Sequence, residues 1–318
     1  MPVPPLARAG AATAGRAGNI GAMSDDPRTT GPGELAPPRP AASLVLLRDD
    51  PTGLQALLLE RPSEDRVLAG ARVFPGGKLD REDADDALLA RFDVPPHALH
   101  ARLGEPELDA REAAALFVAA VREAFEETGV LLARGVDEAL AARARALRRE
   151  GLGFGEVLAE LRVSLDASLM QPWSRWVTPK VPSQMRRRFD TRFFVACLPA
   201  GQVAAHDPSE AVAADWMGPR EALERYWAGE IDMAAPQIMT LAHLSRFADV
   251  AAAMADAAAR VPPVIRPEPI ETPTGRILCY PGDPGHPVPA RAMPGPTRLL
   301  FEKGRFRPGS GGFEAWFD

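Results

Sequence analysis

The chain has 318 residues, with 37 Lys and Arg against 43 Asp and Glu, a formal net charge of −6. That length suits one large or two small domains with a sizeable core, and the acidic balance argues against broad nucleic-acid binding. Two cysteines, Cys197 and Cys279, exclude a disulfide framework or a Cys-rich zinc module, and no run of 18 apolar residues is present to form a membrane helix.

Residues 1–40 hold eight prolines, six glycines and no aromatic residue. Such a segment buries too little apolar surface to offset its ordering entropy, so a disordered N-terminal tail is expected. Its apolar stretches are all interrupted by Pro or Gly, which argues against a secretory signal. Met23 offers an alternative start to Met1. The apolar runs 41–47 and 54–60 flank Asp49-Asp50-Pro51-Thr52-Gly53 and predict a β-hairpin. A polar loop from Arg61 then feeds a short strand at 71–74, ending in Phe74-Pro75-Gly76-Gly77. Residues 83–109 are acidic, carry Pro95-Pro96, and read as an irregular or partly helical insertion.

From 110 to 128 the period becomes helical, with paired apolar positions at Leu116/Phe117, Ala120/Val121 and Ala124/Phe125. Asp109 is placed to cap its start and Gly129 its end. Further helices are expected at 137–150, 153–163, 219–228 and 236–258, and a buried strand at 192–198. Pro and Gly return after Val261, with twelve prolines in the last 57 residues. This Pro/Gly-rich extension, 261–318, is expected to hold a small hairpin around 276–280 and 297–301. The domain of interest is therefore 41–260.

The 110–128 helix ends in Arg122-Glu123-Ala124-Phe125-Glu126-Glu127-Thr128-Gly129. Glu123, Glu126 and Glu127 stand at i, i+3 and i+4 and share one face. Arg122 reaches Glu126 at i+4, which leaves excess negative charge. A solvated helix face is one explanation; a hard divalent cation, which prefers carboxylate oxygens, water and phosphates, is the other.

Upstream, Gly76 and Glu82 have the Gly-x5-Glu spacing that opens the Nudix box, and Arg122 to Val130 resembles its second half. The family's pattern has seven residues between the first Glu and the Arg; here there are 39, so the box is split. Leu57, Leu58, Arg61, Arg66, Gly70, Phe74, Pro75, Gly76 and Gly77 fall at the positions of a segment shared by Nudix enzymes that cleave coenzyme A, with Leu59 and Pro62 as departures. Trp173 to Pro179 and Arg186 to Phe194 resemble the branch named nucleoside diphosphate-linked moiety X motif 19, acyl-coenzyme A diphosphatases with the same split box.

The resemblance implies an α/β fold, the Nudix α/β/α sandwich with a mixed sheet, here with an inserted loop within the box and additional C-terminal helices. It implies metal-dependent hydrolysis of the diphosphate of coenzyme A or acyl-coenzyme A, giving 3′,5′-ADP and (acyl-)4′-phosphopantetheine. Glu123, Glu126 and Glu127 would hold Mg²⁺ or Mn²⁺, with Arg122 orienting them. Gly76 and Gly77 would let backbone approach the site, and Glu123 or Glu210 are candidate general bases. Arg61, Arg66 and the Arg186–Arg188 run, represented by Arg187, are candidate phosphate ligands. The role of Glu82 is open because of the split. Segment 83–109 is either a lid or wall for an acyl-pantetheine arm or a solvent loop. Two other functions remain open: hydrolysis of another nucleoside diphosphate derivative such as ADP-ribose or a dinucleotide, and a non-catalytic nucleotide sensor. The expected partner is a small molecule, with neither nucleic acid nor membrane. A homodimer is the open oligomeric alternative, and a cytoplasmic location is the default.

Overall fold

The computed structural model describes residues 37–62, 69–180, 188–205, 211–273 and 275–318. Its organising strand is β1, Arg39–Asp50, which begins two residues before the expected start of structure at 41. β1 pairs with β2, Gly53–Glu60, in an antiparallel hairpin whose register runs from Leu47↔Ala56 to Asp50↔Gly53, leaving Pro51-Thr52 as the turn. The Asp50 carboxylate accepts from the Thr52 amide at 3.1 Å, and Gly53 has φ +117, a value L side chains rarely adopt.

β1 is also paired on its other edge, in parallel, with β6, Phe189–Cys197. β6 runs antiparallel to β5, Met170–Val177, and β5 pairs in parallel with the two-residue β8, Val264–Ile265. β2 pairs along its outer edge with β7, Ala213–Met217, and on the edge it shares with β1, beyond the hairpin ladder, with β3, Arg72–Val73. The result is a mixed sheet ordered β3-β2-β1-β6-β5-β8, with β4, Gly76–Lys78, attached to the start of β1.

The continuous apolar run in β1 follows from burial of both sheet faces. Alternation sends Ala42, Leu44 and Leu46 to one face and Val45 and Leu47 to the other. On the first face lies α3, Ala110–Thr128, with Leu116, Phe117, Ala120 and Val121 in contact with that core. On the second lie α6, Pro219–Ala228, α7, Ala235–Leu244, and α8, Val250–Ala259. This is the expected helix–sheet–helix sandwich. Among the described residues no helix is long and apolar enough to cross a membrane.

The structure revises or extends the sequence reading in three places. The helix expected over 236–258 is two helices, because the Asp249 side chain accepts from the Ala252 amide at 2.8 Å and starts α8 afresh. The strand β5 was hidden by Pro172, which breaks the register and leaves a bulge between Pro172 and Ser174. The C-terminal hairpin pairs as expected, β10, Gly275–Cys279, with β11, Arg298–Glu302. It is flanked by two further strands, β9, Glu268–Thr272, and β12, Arg305–Pro308. Leu278, Tyr280, Leu299 and Trp316 join the core under α6 and α7.

The segment between the box halves is a packed layer. After a 3₁₀ turn at Arg81–Ala84 come α1, Asp86–Leu89, and α2, Pro96–Leu103, whose Leu88, Leu89, Leu99 and Leu103 are buried with α3. The helices α4, Glu138–Arg149, and α5, Phe154–Leu161, extend the same layer. Glu105, just past α2, is buried and clamps this layer to the sheet. Its carboxylate lies 2.6 Å from Arg175 of β5 and 2.6 Å from Arg192 of β6. Removing one member of such a buried set leaves charge uncompensated. Glu105→Ala is expected to lower unfolding stability by about 3 kcal/mol, read as a fall in the urea midpoint.

Candidate active site

The site lies where β4 crosses the last turns of α3. Asp109 caps α3, accepting from the Glu112 amide at 2.7 Å, and Gly129 ends it at φ +70, donating to the Phe125 carbonyl at 2.8 Å. The caps fix where the helix begins and ends, and packing of Leu116, Phe117, Ala120 and Val121 on the sheet sets its rotation, so the Arg122 and glutamate side chains fall toward β4.

Arg122 is the hub. Its Nε and Nη2 donate to the two oxygens of Asp83 at 2.7 and 2.9 Å, a bidentate pair with a carboxylate that is 0% exposed. Nη2 also donates to the Lys78 carbonyl at 3.1 Å. Nη1 donates to Glu123 Oε1 at 2.9 Å and to Glu126 Oε2 at 3.0 Å. All five guanidinium donors are engaged. Burial alone would favour neutral Arg122, but the hydrogen bonds and charge of Asp83, then Glu123 and Glu126, outweigh it and raise its pKa.

The glycines act on the same acids. The Gly76 amide donates to Glu127 Oε2 at 2.9 Å. Gly76 has φ +155, and a Cβ there would sit 2.5 Å from the Ala42 carbonyl oxygen and 2.7 Å from Ser43 Cα. At Gly77 a Cβ would sit 2.3 Å from Glu123 Oε1. Pro75 anchors the segment to β1, its carbonyl accepting from the Ser43 hydroxyl at 3.0 Å and the Leu44 amide at 2.8 Å. The glycines thus let the strand lie directly against the carboxylates.

Arg122, Glu123, Glu126, Glu127, Gly76 and Gly77 are therefore brought together. Arg61 is half-buried just after β2. Its amide donates to the Ala71 carbonyl at 3.1 Å, and its carbonyl accepts from Gly70 at 3.2 Å. Arg66, Arg187 and Glu210 lie outside the described residues. Glu82, the acid at the family's spacing, is exposed; the acid that meets Arg122 is Asp83, one residue later. A Asp80-x-x-Asp83 pattern was the available signal, since Asp83 Oδ2 accepts from the Asp80 amide at 2.8 Å and closes the 3₁₀ turn. Arg148 of α4 is a second residue not foreseen, with Nη2 donating to Glu126 Oε1 at 2.5 Å and Nη1 to the Leu152 carbonyl at 2.9 Å. Nothing in its local sequence sets it apart from the other arginines of α4.

The donor set suits a hard divalent cation: carboxylate oxygens, and a net charge of about −2 when Arg122 is balanced by Asp83 and Arg148 is set against the three glutamates. Among the described residues, no three acidic, His or Cys side chains are spaced to clasp an ion as they stand. Glu126 is drawn to two arginines and Glu127 to the Gly76 amide. The residues fit the cation in donor chemistry, and a shared grip on it would require Glu126 to turn from its arginines. Asp83→Ala is expected to lower unfolding stability by about 3 kcal/mol, because it strands a buried guanidinium, whereas Glu82→Ala should leave it within about 0.5 kcal/mol of the parent. Chemical denaturation of the two variants checks the assignment, and equal losses would refute it.

A family model for the NUDT19 Nudix domain matches residues 32–244. The acyl-coenzyme A diphosphatase NUDT19 of Homo sapiens is 31% identical, over 67% of this chain and 66% of that protein. The Xenopus laevis protein of the same name is 27% identical, over 62% of this chain and 61% of its own length. The matches thus span somewhat less than two thirds of these relatives. The crystal structure of a NUDIX hydrolase from Alicyclobacillus acidocaldarius superposes with a TM-score of 0.55 at 31% identity, covering 70% of this chain and 97% of that one. With this match across the sandwich and the acid-bearing helix set beside its Gly-Gly strand, the chain belongs to the Nudix hydrolases, in the family defined by the NUDT19 Nudix domain.

Proposed function

We propose that the chain hydrolyses the diphosphate of coenzyme A or acyl-coenzyme A, releasing 3′,5′-ADP and (acyl-)4′-phosphopantetheine, with Mg²⁺ or Mn²⁺ held by Glu123, Glu126 and Glu127. The observation that carries this reading is the convergence of the three carboxylates on β4: two gathered by Arg122 Nη1, the third by the Gly76 amide. The names of the human and frog relatives supply the substrate class.

Hydrolysis adds one water across a P–O–P bridge and leaves two phosphomonoesters. Such a reaction needs charge neutralisation and in-line placement of water more than covalent help. A divalent ion, when bound, neutralises phosphate charge and acidifies water. The chain's own residues do the rest. Arg122, held rigid by Asp83, fixes Glu123 and Glu126; the Gly76 amide fixes Glu127; and the missing Cβ of Gly77 leaves the Glu123 carboxylate room against the strand. Glu123 or Glu210 would take the proton of the attacking water. Arg61, Arg66 and Arg187 would bind phosphates of the nucleotide half. The packed 83–109 layer would serve as a wall beside the site.

Glu126→Gln and Glu127→Gln are each expected to reduce kcat by at least about a hundredfold, the scale for groups set against transition-state charge, with melting temperatures near that of the parent. The measurement is chromatography of products from coenzyme A, acyl-coenzyme A, ADP-ribose and NADH in the presence of Mg²⁺. Near-normal turnover in both variants contradicts the metal-ligand roles. Preference for ADP-ribose or NADH moves the substrate to another nucleoside diphosphate derivative, and binding without turnover of any of them indicates a sensor.

A further inference from the structure

α4 reaches the site from outside the helix that carries the acids. Arg145 and Arg148 stand at i, i+3 on one face of α4. Arg145 Nη1 donates to the Gly129 carbonyl at 3.2 Å, at the negative end of α3, and its Nη2 meets Glu138. Arg148 continues the line to Glu126.

Glu126 is therefore gripped by two guanidiniums of different character. Arg122 is 11% exposed and cannot leave without abandoning the buried Asp83 carboxylate. The Arg148 side chain is 38% exposed, and its other described hydrogen bond goes to the Leu152 carbonyl. Arg148 is the partner that can let go, while Arg145 and Glu138 keep α4 in place.

We propose that Arg148 is an exchange residue: it neutralises Glu126 in the resting protein, and passes to a phosphate oxygen of the substrate diphosphate when Glu126 turns to a divalent cation. This deepens the reading above and rests on it. A carboxylate oxygen that turns to a cation is a weaker partner for an exposed guanidinium, since the two positive groups repel across it. A guanidinium deprived of its carboxylate needs another acceptor, and phosphate oxygens match its planar fork. The substrate would bring those oxygens to the cation held by Glu126, within one carboxylate's reach of Arg148. No bond is made or broken by Arg148; it exchanges one hydrogen-bonded anion for another.

The consequence is a pair of effects of opposite sign, which a merely structural arginine would not produce. The full chain is compared with Arg148→Gln, Arg148→Lys and a charge control, Arg149→Gln, an exposed neighbour. In calorimetric titration with Mn²⁺ and no substrate, Arg148→Gln should bind the ion about tenfold more tightly, because a competing charge-assisted hydrogen bond is gone. With Mn²⁺ saturating, its KM for coenzyme A should rise about tenfold while kcat changes by less than about threefold, the pattern of lost uniform binding. Arg148→Lys should return the Mn²⁺ affinity toward the parent value but recover KM only in part, having a point charge in place of a fork. Arg149→Gln should match the parent in both. Unchanged or weaker Mn²⁺ binding in Arg148→Gln overturns the proposal, as does an unchanged KM. If the parent turns over no coenzyme A derivative, the functional reading falls, and the substrate-free titration still decides whether Arg148 competes for Glu126.

Discussion

One guanidinium holds this site together. Arg122 has five donors, and they tie four parts of the chain: Asp83 at the start of the inserted layer, the Lys78 carbonyl at the end of β4, and Glu123 and Glu126 on α3 itself. Three glutamates on one helix face repel one another, and a bare cluster would splay into solvent. Arg122 draws two of them inward, and Asp83 keeps Arg122 from neutralising them outright. The pairing of Arg122 with Asp83 is thus more a device of geometry and charge balance than of stability. The desolvation cost of burying both groups offsets much of their attraction, while leaving either one alone is costly.

The sheet supplies the other half of the arrangement. β4 pairs with β1 over only three positions, Ala41↔Lys78 to Ser43↔Gly76. So short a ladder would fray by itself. It is reinforced by the Pro75 carbonyl, which accepts from Ser43 and Leu44, and by the Gly76 amide, which turns away from the ladder to Glu127. Because α3 packs on Ala42, Leu44 and Leu46 of the same strand, β4 and the acidic turns of α3 share one reference frame. The opposite face of β1 is sealed by α7, α8 and the C-terminal strands, so the central strand has no freedom to shift under the site.

What the sequence made legible is what local periodicity and spacing encode. The i, i+3, i+4 acids, the Asp109 and Gly129 caps and the β1–β2 hairpin all rest on contacts within a few residues. What it hid depends on partners far along the chain. Glu82 has the family spacing and Asp83 does not, yet a 3₁₀ turn points Asp83 inward and Glu82 out. Arg148 looks like any exposed helix arginine until α4 folds back on α3. The break between α7 and α8 sits inside an unbroken apolar period, where only Asp249 marks it. β12, with Arg305 and Arg307 around Phe306, carries no strand signature of its own and is recruited by β11.

The split in the box becomes understandable on the same physical grounds. Lengthening the link between the first acid position and Arg122 from seven residues to 39 adds only about 1.5 kcal/mol of loop-closure entropy. That cost applies to a floppy link, and this one is not floppy. Four leucines of α1 and α2 are buried against α3, and Glu105 is fixed between Arg175 and Arg192 of the sheet. Both ends of the insertion are also anchored, by Asp83 on Arg122 at one end and by the Asp109 cap of α3 at the other. The two halves of the motif are therefore joined by contacts rather than by chain length: Arg122 to Asp83 and Lys78, and Glu127 to Gly76. A segment can be inserted between them without parting them, provided it folds onto the helix they share, and its acidic first turn then takes over the place that the family's spacing assigns to Glu82.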